Sequence, residues 1–484
     1  MPVNVPSTRK PEDSRIVVPG RVLDSLTRNR GRYLRELAEF LEIPSVGADR
    51  HHTADMRRAA EWFLARVERS GFSGKVFETQ GHPIVYAERC PDKAAPTLLV
   101  YGHYDVQPPG PLHAWKTLPF TPVVKDGAIY ARGATDDKGP VLTYLNAMDS
   151  IIAAEGTLPL NVKLLVEGEE EMGSPNIERF AREHRRMLKA DTLAMSDTTR
   201  YSNSVPAIHY GYRGLVNMQI EVTGPAFGVH SGVFGGLVRN PAMVLARILC
   251  HLKDDDGRVT IPGFYDHVRG VEQWERKEMA SLPVDDGALR QYLGVDTLAP
   301  EKGFTLPESR YFRPTLDVTG IQGGHEGEGM KTIIPSRAIA KISMRLVPDQ
   351  KAEVIGPLAA DYVRSLALPG VGVAITHWYG NDPLVVPTDT PAMAVAKRAI
   401  EYGFGRRPVL ARTGGTVGAV TALHKELGIE NILMMGWGSP EDGAHAPNEH
   451  FEIYDFDRGM KTVAALLYGL ATIKSDSTGL KQQR

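Results

Sequence analysis

Five short segments of the 484-residue chain hold the side chains whose types and spacing could do chemistry. In Gly102-His103-Tyr104-Asp105 the His and Asp are two residues apart, so an extended backbone turns both to one side. Arg132-Gly133-Ala134-Thr135-Asp136-Asp137-Lys138-Gly139 sets two carboxylates in a glycine-flanked turn. Glu167-Gly168-Glu169-Glu170-Glu171-Met172-Gly173-Ser174 is an acidic cluster, Asp197 follows Ser196, and His445 lies in Gly443-Ala444-His445-Ala446. So many carboxylates cannot share a pocket in ionised form unless cations neutralise them. The set offers imidazole nitrogens and carboxylate oxygens and no thiolate. Zinc suits it first, with manganese or cobalt as alternatives. Two ions sharing one bridging carboxylate would use this many ligands economically, and such pairs activate water and polarise a carbonyl or phosphoryl oxygen. Each segment alone is commonplace; their weight comes from all five falling at predicted strand ends or loops.

The elements that must position them read as two patterns. Apolar residues at helical spacing run from Val22 through Leu26, Tyr33, Leu37 and Leu41, and again from Met56 through Ala59, Ala60, Phe63 and Val67. Short apolar runs over 84–87, 97–101, 160–166 and 192–195 predict strands, with a helix over 141–152. Ser174-Pro175 reads as an N-cap and first helical residue. Strands alternating with helices predict an α/β domain with a mostly parallel sheet and helices on both faces. Ligands of such sheets bind outside the carboxyl ends of the strands, where the five segments would converge. Near residue 209 the pattern changes. Val216, Met218, Ile220 and Val222 alternate strictly, Asn240-Pro241 opens a helix, and 254–313 reads as one long irregular stretch. Strands near 315–319, 342–346 and 372–376 and a helix over 354–366 complete a β-α-β-β-α-β order, an inserted ferredoxin-like α+β unit. The first pattern resumes with a helix from Pro391, strands over 409–411 and 432–435, and a final helix over 460–471. The expected division is therefore one discontinuous domain, 1–208 and 383–484, interrupted by an inserted domain at 209–382.

Composition narrows the function classes. Lys and Arg number 56 against 58 Asp and Glu, a balance that argues against a broad nucleic-acid surface. No apolar run approaches a membrane span, and the N-terminus lacks the apolar core of a secretory signal. The two cysteines, Cys90 and Cys250, form no CxxC; each is read as a small core hydrophobe, and a reducing cytoplasm fits. No GxSxG elbow supports a serine hydrolase, and the Gly414-Gly415-Thr416 turn lacks the lysine of a P-loop.

Taken in order, the segments resemble the motifs of the M20 metallopeptidases, in particular their cytosolic nonspecific dipeptidase and carnosinase branch. The HxD, GRGxxDDKG, EGxEExGS, SD and GAH motifs are the segments above. His230-Ser231-Gly232 and Arg345-Leu346-Val347-Pro348 are similar to two more. The resemblance implies that His103, Asp136 and Asp197 hold one metal ion and Asp136, Glu171 and His445 the other. It makes Glu170 the general base, Asp105 the partner of His103, and Asp136–Asp137 a cis peptide. It further implies that 1–208 and 383–484 form the catalytic domain and 209–382 a lid and dimerisation domain, that His230 stabilises the transition state across a homodimer, and that Arg345 grips the substrate carboxylate. Thr332, Gly415 and Thr416 become substrate-contacting positions. Glu169, which stands where the branch often has Met, is read as solvent-facing, and His325 as a plain loop residue. The implied activity is a dinuclear metal-dependent hydrolysis of the amide bond of dipeptides or similar small acyl-amino acids, by a water bridging the ions. An N-acyl- or N-carbamoyl-amino-acid hydrolase or a carboxypeptidase of the same family is the alternative. A noncatalytic binding protein on this fold is disfavoured because every expected catalytic position is filled.

Overall fold

Four runs of apolar residues, Thr97–His103, Asn161–Glu167, Thr192–Met195 and Ile432–Met435, form the parallel centre of the larger sheet. They are buried nearly throughout, as parallel strands covered on both faces must be. The computed structural model describes residues 16–473 except 281, 283, 284 and 416, and leaves out the side chains of 377–379. Antiparallel strands flank the centre: Ser73–Phe77 and Ile84–Arg89 beside Asn161–Glu167, and Ala207–Tyr212 beside Ile432–Met435. Helices Gly20–Leu41, Lys138–Glu155 and Ile453–Leu470 pack against one another.

The register decides where the chemistry emerges. Tyr101 lies opposite both Leu165 and Met195, and His103 opposite Glu167. His103, Glu167 and Asp197 therefore leave the sheet at one level. Met434 lies opposite Met195, so the segment leading to His445 starts from the same edge.

The chain divides into two units, the first comprising Met1–Tyr210, Val386–Ala411 and Val417–Arg484, the second Gly211–Val385 and Arg412–Thr416. In the second, antiparallel strands stand in the order Thr315–Gly323, Arg337–Leu346, Gly214–Thr223, Gly372–Asn381. Val216, Met218, Ile220, Val222, Ile342 and Met344 pack with Val244 and Ile248 of one helix and Ile355, Ala359 and Val363 of another. This is the ferredoxin-like arrangement that the alternation predicts. Asn240 caps the helix Pro241–Cys250 through a 2.9 Å bond from the Ala242 N–H.

Some local expectations are corrected. Ser174 is not an N-cap: its φ is +52° and its hydroxyl donates to Glu167 Oε1 at 2.8 Å, so the next helix starts at Ile177 with Asn176 before it. The stretch 254–313 contains three short helices, Gln273–Ala280, Asp286–Leu293 and Leu306–Tyr311. Asp285 caps the second and Thr305 with Glu308 forms a capping box on the third, local signals that outweigh the lack of apolar periodicity. The last helix begins seven residues earlier than predicted, because its first turn packs Ile453 and Phe456. Cys90 and Cys250 are free and exposed rather than core residues: one follows an edge-proximal strand and the other ends a helix. No helix among the described residues is long and apolar enough to cross a membrane.

One buried lysine ties the fold to the Asp136 turn. Lys138 opens the central helix, and its Nζ donates to Phe40 O at 3.0 Å and Ile43 O at 2.7 Å, over the Phe40 ring. Burial pulls its pKa down to about 7. These carbonyls, at and just beyond the C-terminal end of Gly20–Leu41, also accept from the Ile43 and Ser45 N–H groups, so Lys138 fills their second acceptor positions. A hydrogen bond made by a charged group contributes about 1.5–3 kcal/mol. Lys138→Met should therefore lower the urea midpoint clearly, whereas Arg30→Ala, which removes the exposed pair with Asp457, should change stability by about 0–1 kcal/mol. Equal midpoints for the two variants would contradict this role for Lys138.

Candidate metal centre

The first unit delivers six ligand-capable side chains to the carboxyl ends of its parallel strands. They form two trios, His103, Glu170 and Asp197, and Asp136, Glu171 and His445, the ligand atoms of each lying within 4.8 Å of one another. Asp136 stands between them: its Oδ1 is 3.2 Å from His103 Nε2 and its Oδ2 is 2.9 Å from His445 Nε2. Asp197 Oδ2 is 3.8 Å from His103 Nε2, and Glu171 Oε2 is 3.1 Å from His445 Nε2. The structure thus brings together every residue expected to ligate metal, and it groups Glu170 with His103 and Asp197. The Asp136–Asp137 peptide is cis.

Adjacent glutamates reach one site because the backbone leaves its strand. After Asn161–Glu167 the chain enters a single 3-10 turn, Glu170–Met172, closed by Gly173 at φ +86°. At Gly168 a Cβ would meet the Tyr104 hydroxyl at 2.5 Å, so only glycine lets the turn pass. Asp105 fixes the turn from below: Oδ1 accepts from the Glu170 N–H at 3.3 Å and Oδ2 from the Glu171 N–H at 3.0 Å. The bond that orients His103 goes to the Asp105 backbone carbonyl, 3.1 Å from Nδ1, with the Asp105 carboxylate at 3.4 Å. Glu169 is buried, with Asn176 donating to its Oε2 at 2.7 Å, so it does not face solvent as expected. Its side chain turns instead toward Gly81 and Asn176.

These residues fit divalent cations. A carbonyl only accepts, so His103 keeps a proton on Nδ1, and Nε2 is the nitrogen whose lone pair a cation would take in place of a second proton. That Nε2 is fully buried and makes no hydrogen bond. The electrostatics agree. Burial, reinforced by neighbouring carboxylates, pushes the pKa values of Glu170 and Asp197 well above the ordinary range. His445 is raised to about 11 by its contacts with Asp136 and Glu171. Burial opposes ionisation of Asp136, yet the two histidines beside it hold its pKa below the ordinary range. The pocket draws in protons, as a cluster that lacks enough positive charge must.

Gln107 continues the period-two series of His103 and Asp105, and its Nε2 donates to Glu171 Oε2 at 2.8 Å. The sequence reading missed it, although the HxDxQ spacing carries the signal.

The remaining expected residues lie in the second unit. His230 is exposed and accepts from the Gly232 N–H at 2.9 Å, and the next residue's N–H donates to Thr332 O at 3.0 Å, so His230 and Thr332 are neighbours. Arg345 is half-buried on its strand, opposite Leu215 and Thr315. Arg213, which the sequence reading also missed, donates from Nε to Gly414 O at 3.2 Å. Burial and the nearby Arg345 pull its pKa down to about 10. Gly415 is exposed beside Thr413, and Thr416 lies outside the described residues. His325 is an exposed loop residue, as expected.

Residues 99–469 match the model of Peptidase family M20/M25/M40. The chain is 29% identical over 470 residues to the Cys-Gly metallodipeptidase dug1 of Schizosaccharomyces pombe, covering 94% of this chain and 98% of that protein. It is 31% identical over 396 residues to the Beta-Ala-His dipeptidase of Homo sapiens, covering 81% and 78%. Among solved structures, an M20 family metallo-carboxypeptidase, Sso-CP2 from Sulfolobus solfataricus, superposes with a TM-score of 0.83 at 32% identity, over 91% of this chain and 99% of that one. The motif order, the two ligand trios and a family match over most of its length establish that this chain belongs to peptidase family M20/M25/M40.

Proposed function

We propose that the protein is a dinuclear metallodipeptidase that hydrolyses the amide bond of dipeptides or similar small acyl-amino acids. The observation that carries this reading is Asp136, set between His103 on one side and His445 on the other, with a further carboxylate ligand beside each. His103, Asp136 and Asp197 would hold one ion and Asp136, Glu171 and His445 the other. The donor set favours zinc, with manganese or cobalt as alternatives. Bound ions supply Lewis acidity toward the amide carbonyl and acidify water. Glu170, aimed by the Asp105 clamp on its backbone, takes the proton of the attacking water as the C–O bond forms. It returns that proton to the amine nitrogen as the C–N bond breaks. Asp105 and Gln107 hold the glutamate turn throughout.

Arg345 suits the substrate carboxylate because a planar guanidinium fork matches it. Thr332, Gly415 and Thr416 are assigned to further substrate contacts. His230 is assigned to the carbonyl oxygen of the substrate held by a partner subunit, through a homodimer of the inserted unit. Exposed Phe227, Leu237, Met243 and Ile321 on that unit favour such pairing. The free thiols of Cys90 and Cys250 fit a reducing cytoplasm. A carboxypeptidase is the second reading, favoured by the likeness to Sso-CP2.

Dipeptides, N-acyl-amino acids and longer peptides assayed on zinc-loaded enzyme separate these readings. Free dipeptides should be cleaved fastest; preference for longer chains with release of the last residue would favour the carboxypeptidase. Glu170→Gln should keep both ions by elemental analysis and lose roughly 10²–10⁴-fold in turnover, whereas Glu171→Gln should lose affinity for one ion. Swapped phenotypes would show that the base is Glu171. Co-expressed His230→Ala and Glu170→Gln chains, each inactive alone, should recover activity in the heterodimer, since one of its sites receives both intact residues. Heterodimers that form and stay inactive would contradict a role for His230 across the dimer.

A further inference from the structure

The turn that carries Asp136 and the loop that carries His445 are far apart in sequence, and one carboxylate fastens them together. Glu449 is fully buried. Its Oε2 accepts from Arg132 Nη1 at 2.7 Å and the Gly133 N–H at 2.9 Å. Its Oε1 accepts from the Thr135 N–H at 3.0 Å and the Asp136 N–H at 3.2 Å. Four donors thus face the four acceptor positions of one carboxylate. The backbone extends the junction: the Ala131 N–H donates to Glu449 O at 3.1 Å, and Tyr130 pairs with His450 in a small antiparallel sheet. At the other end of the loop, Asp442 Oδ2 accepts from the Thr135 hydroxyl at 3.1 Å. Between these anchors His445 has a φ of +64°, a conformation that a non-glycine residue keeps only when its surroundings define it.

We infer that Glu449 is a positioning residue of the metal centre. It touches no ligand atom of either trio, yet it holds the backbone N–H of Asp136 and directly precedes the strand His450–Glu452 that ends the His445 loop. It thereby sets the distance between Asp136 and His445, and with it the geometry of the Asp136, Glu171 and His445 trio. This inference rests on the reading that these three residues hold an ion. The alternative is that Glu449 only stabilises the fold.

Glu449→Gln separates the two. The amide keeps the shape but has one acceptor oxygen, and its NH2 group would face two of the four donors. Zinc titrations of metal-stripped protein, wild type beside variant, read the effect. The variant should stay folded by circular dichroism, with at least one zinc-binding step weakened roughly 10–100-fold, the range seen when groups that orient metal ligands are lost. Excess zinc should restore part of the turnover. A folded variant with wild-type zinc affinity, and only a lower thermal midpoint, would overturn the inference. If Glu449→Gln does not fold, Arg132→Lys takes its place, because it removes the Nη1 donor from Oε2 and leaves the three backbone donors. It should weaken the same step by a smaller factor, and a folded Arg132→Lys with an unchanged isotherm would overturn the inference. Wild-type protein that binds no zinc would instead refute the ligand assignment on which the inference stands.

Discussion

Mutual repulsion among buried carboxylates governs this molecule. Asp136, Glu170, Glu171 and Asp197 crowd around two imidazoles at the end of a sheet, where burial already penalises every negative charge. Such a cluster is tolerable only with positive charge in its midst. Protons can supply that charge, and the raised pKa values of Glu170, Asp197 and His445 show the demand. Divalent cations would meet it more completely, because each would neutralise several oxygens at once and one of them would take the lone pair of the buried His103 Nε2.

The rest of the first unit can be read as the means of holding these charges in place. The parallel register puts His103, Glu167 and Asp197 at one level. Asp105 accepts from two successive backbone N–H groups and so fixes the glutamate pair, while its own carbonyl orients His103. Glu167 receives the hydroxyls of Tyr101 and Ser174 and anchors both ends of the acidic turn. Lys138 ties the Asp136 turn to the N-terminal helix. Asp105, Glu167 and Lys138 are each buried and hydrogen-bonded, so the candidate ligands rest on side chains that are themselves held in place.

Much of the centre was legible in the sequence because its signals are local. HxD spacing, a glycine-flanked acidic pair and strand-end placement need only the pitch of a strand and the rule that α/β sheets bind ligands at their carboxyl edge. The misreadings arose where a distant contact overrides local pattern. Ser174 looks like a cap, but its hydroxyl is taken by Glu167. Glu169 looks solvated in a run of acids, but its carboxylate is buried and taken by the Asn176 side chain, seven residues on. Glu449 has no periodic or motif signal, since its donors lie more than 300 residues upstream. The short helices at 286–293 and 306–311 were readable from Asp285 and from Thr305 with Glu308, had capping been weighed ahead of apolar spacing.

The central claim is that two cations share Asp136. Anomalous X-ray diffraction from crystals grown with zinc, recorded on both sides of the zinc absorption edge, tests it directly. Two peaks are expected in each chain, one beside His103 and Asp197 and one beside Glu171 and His445, with the Asp136 carboxylate between them. A single peak, or two peaks with Asp136 bound to only one of them, would contradict it.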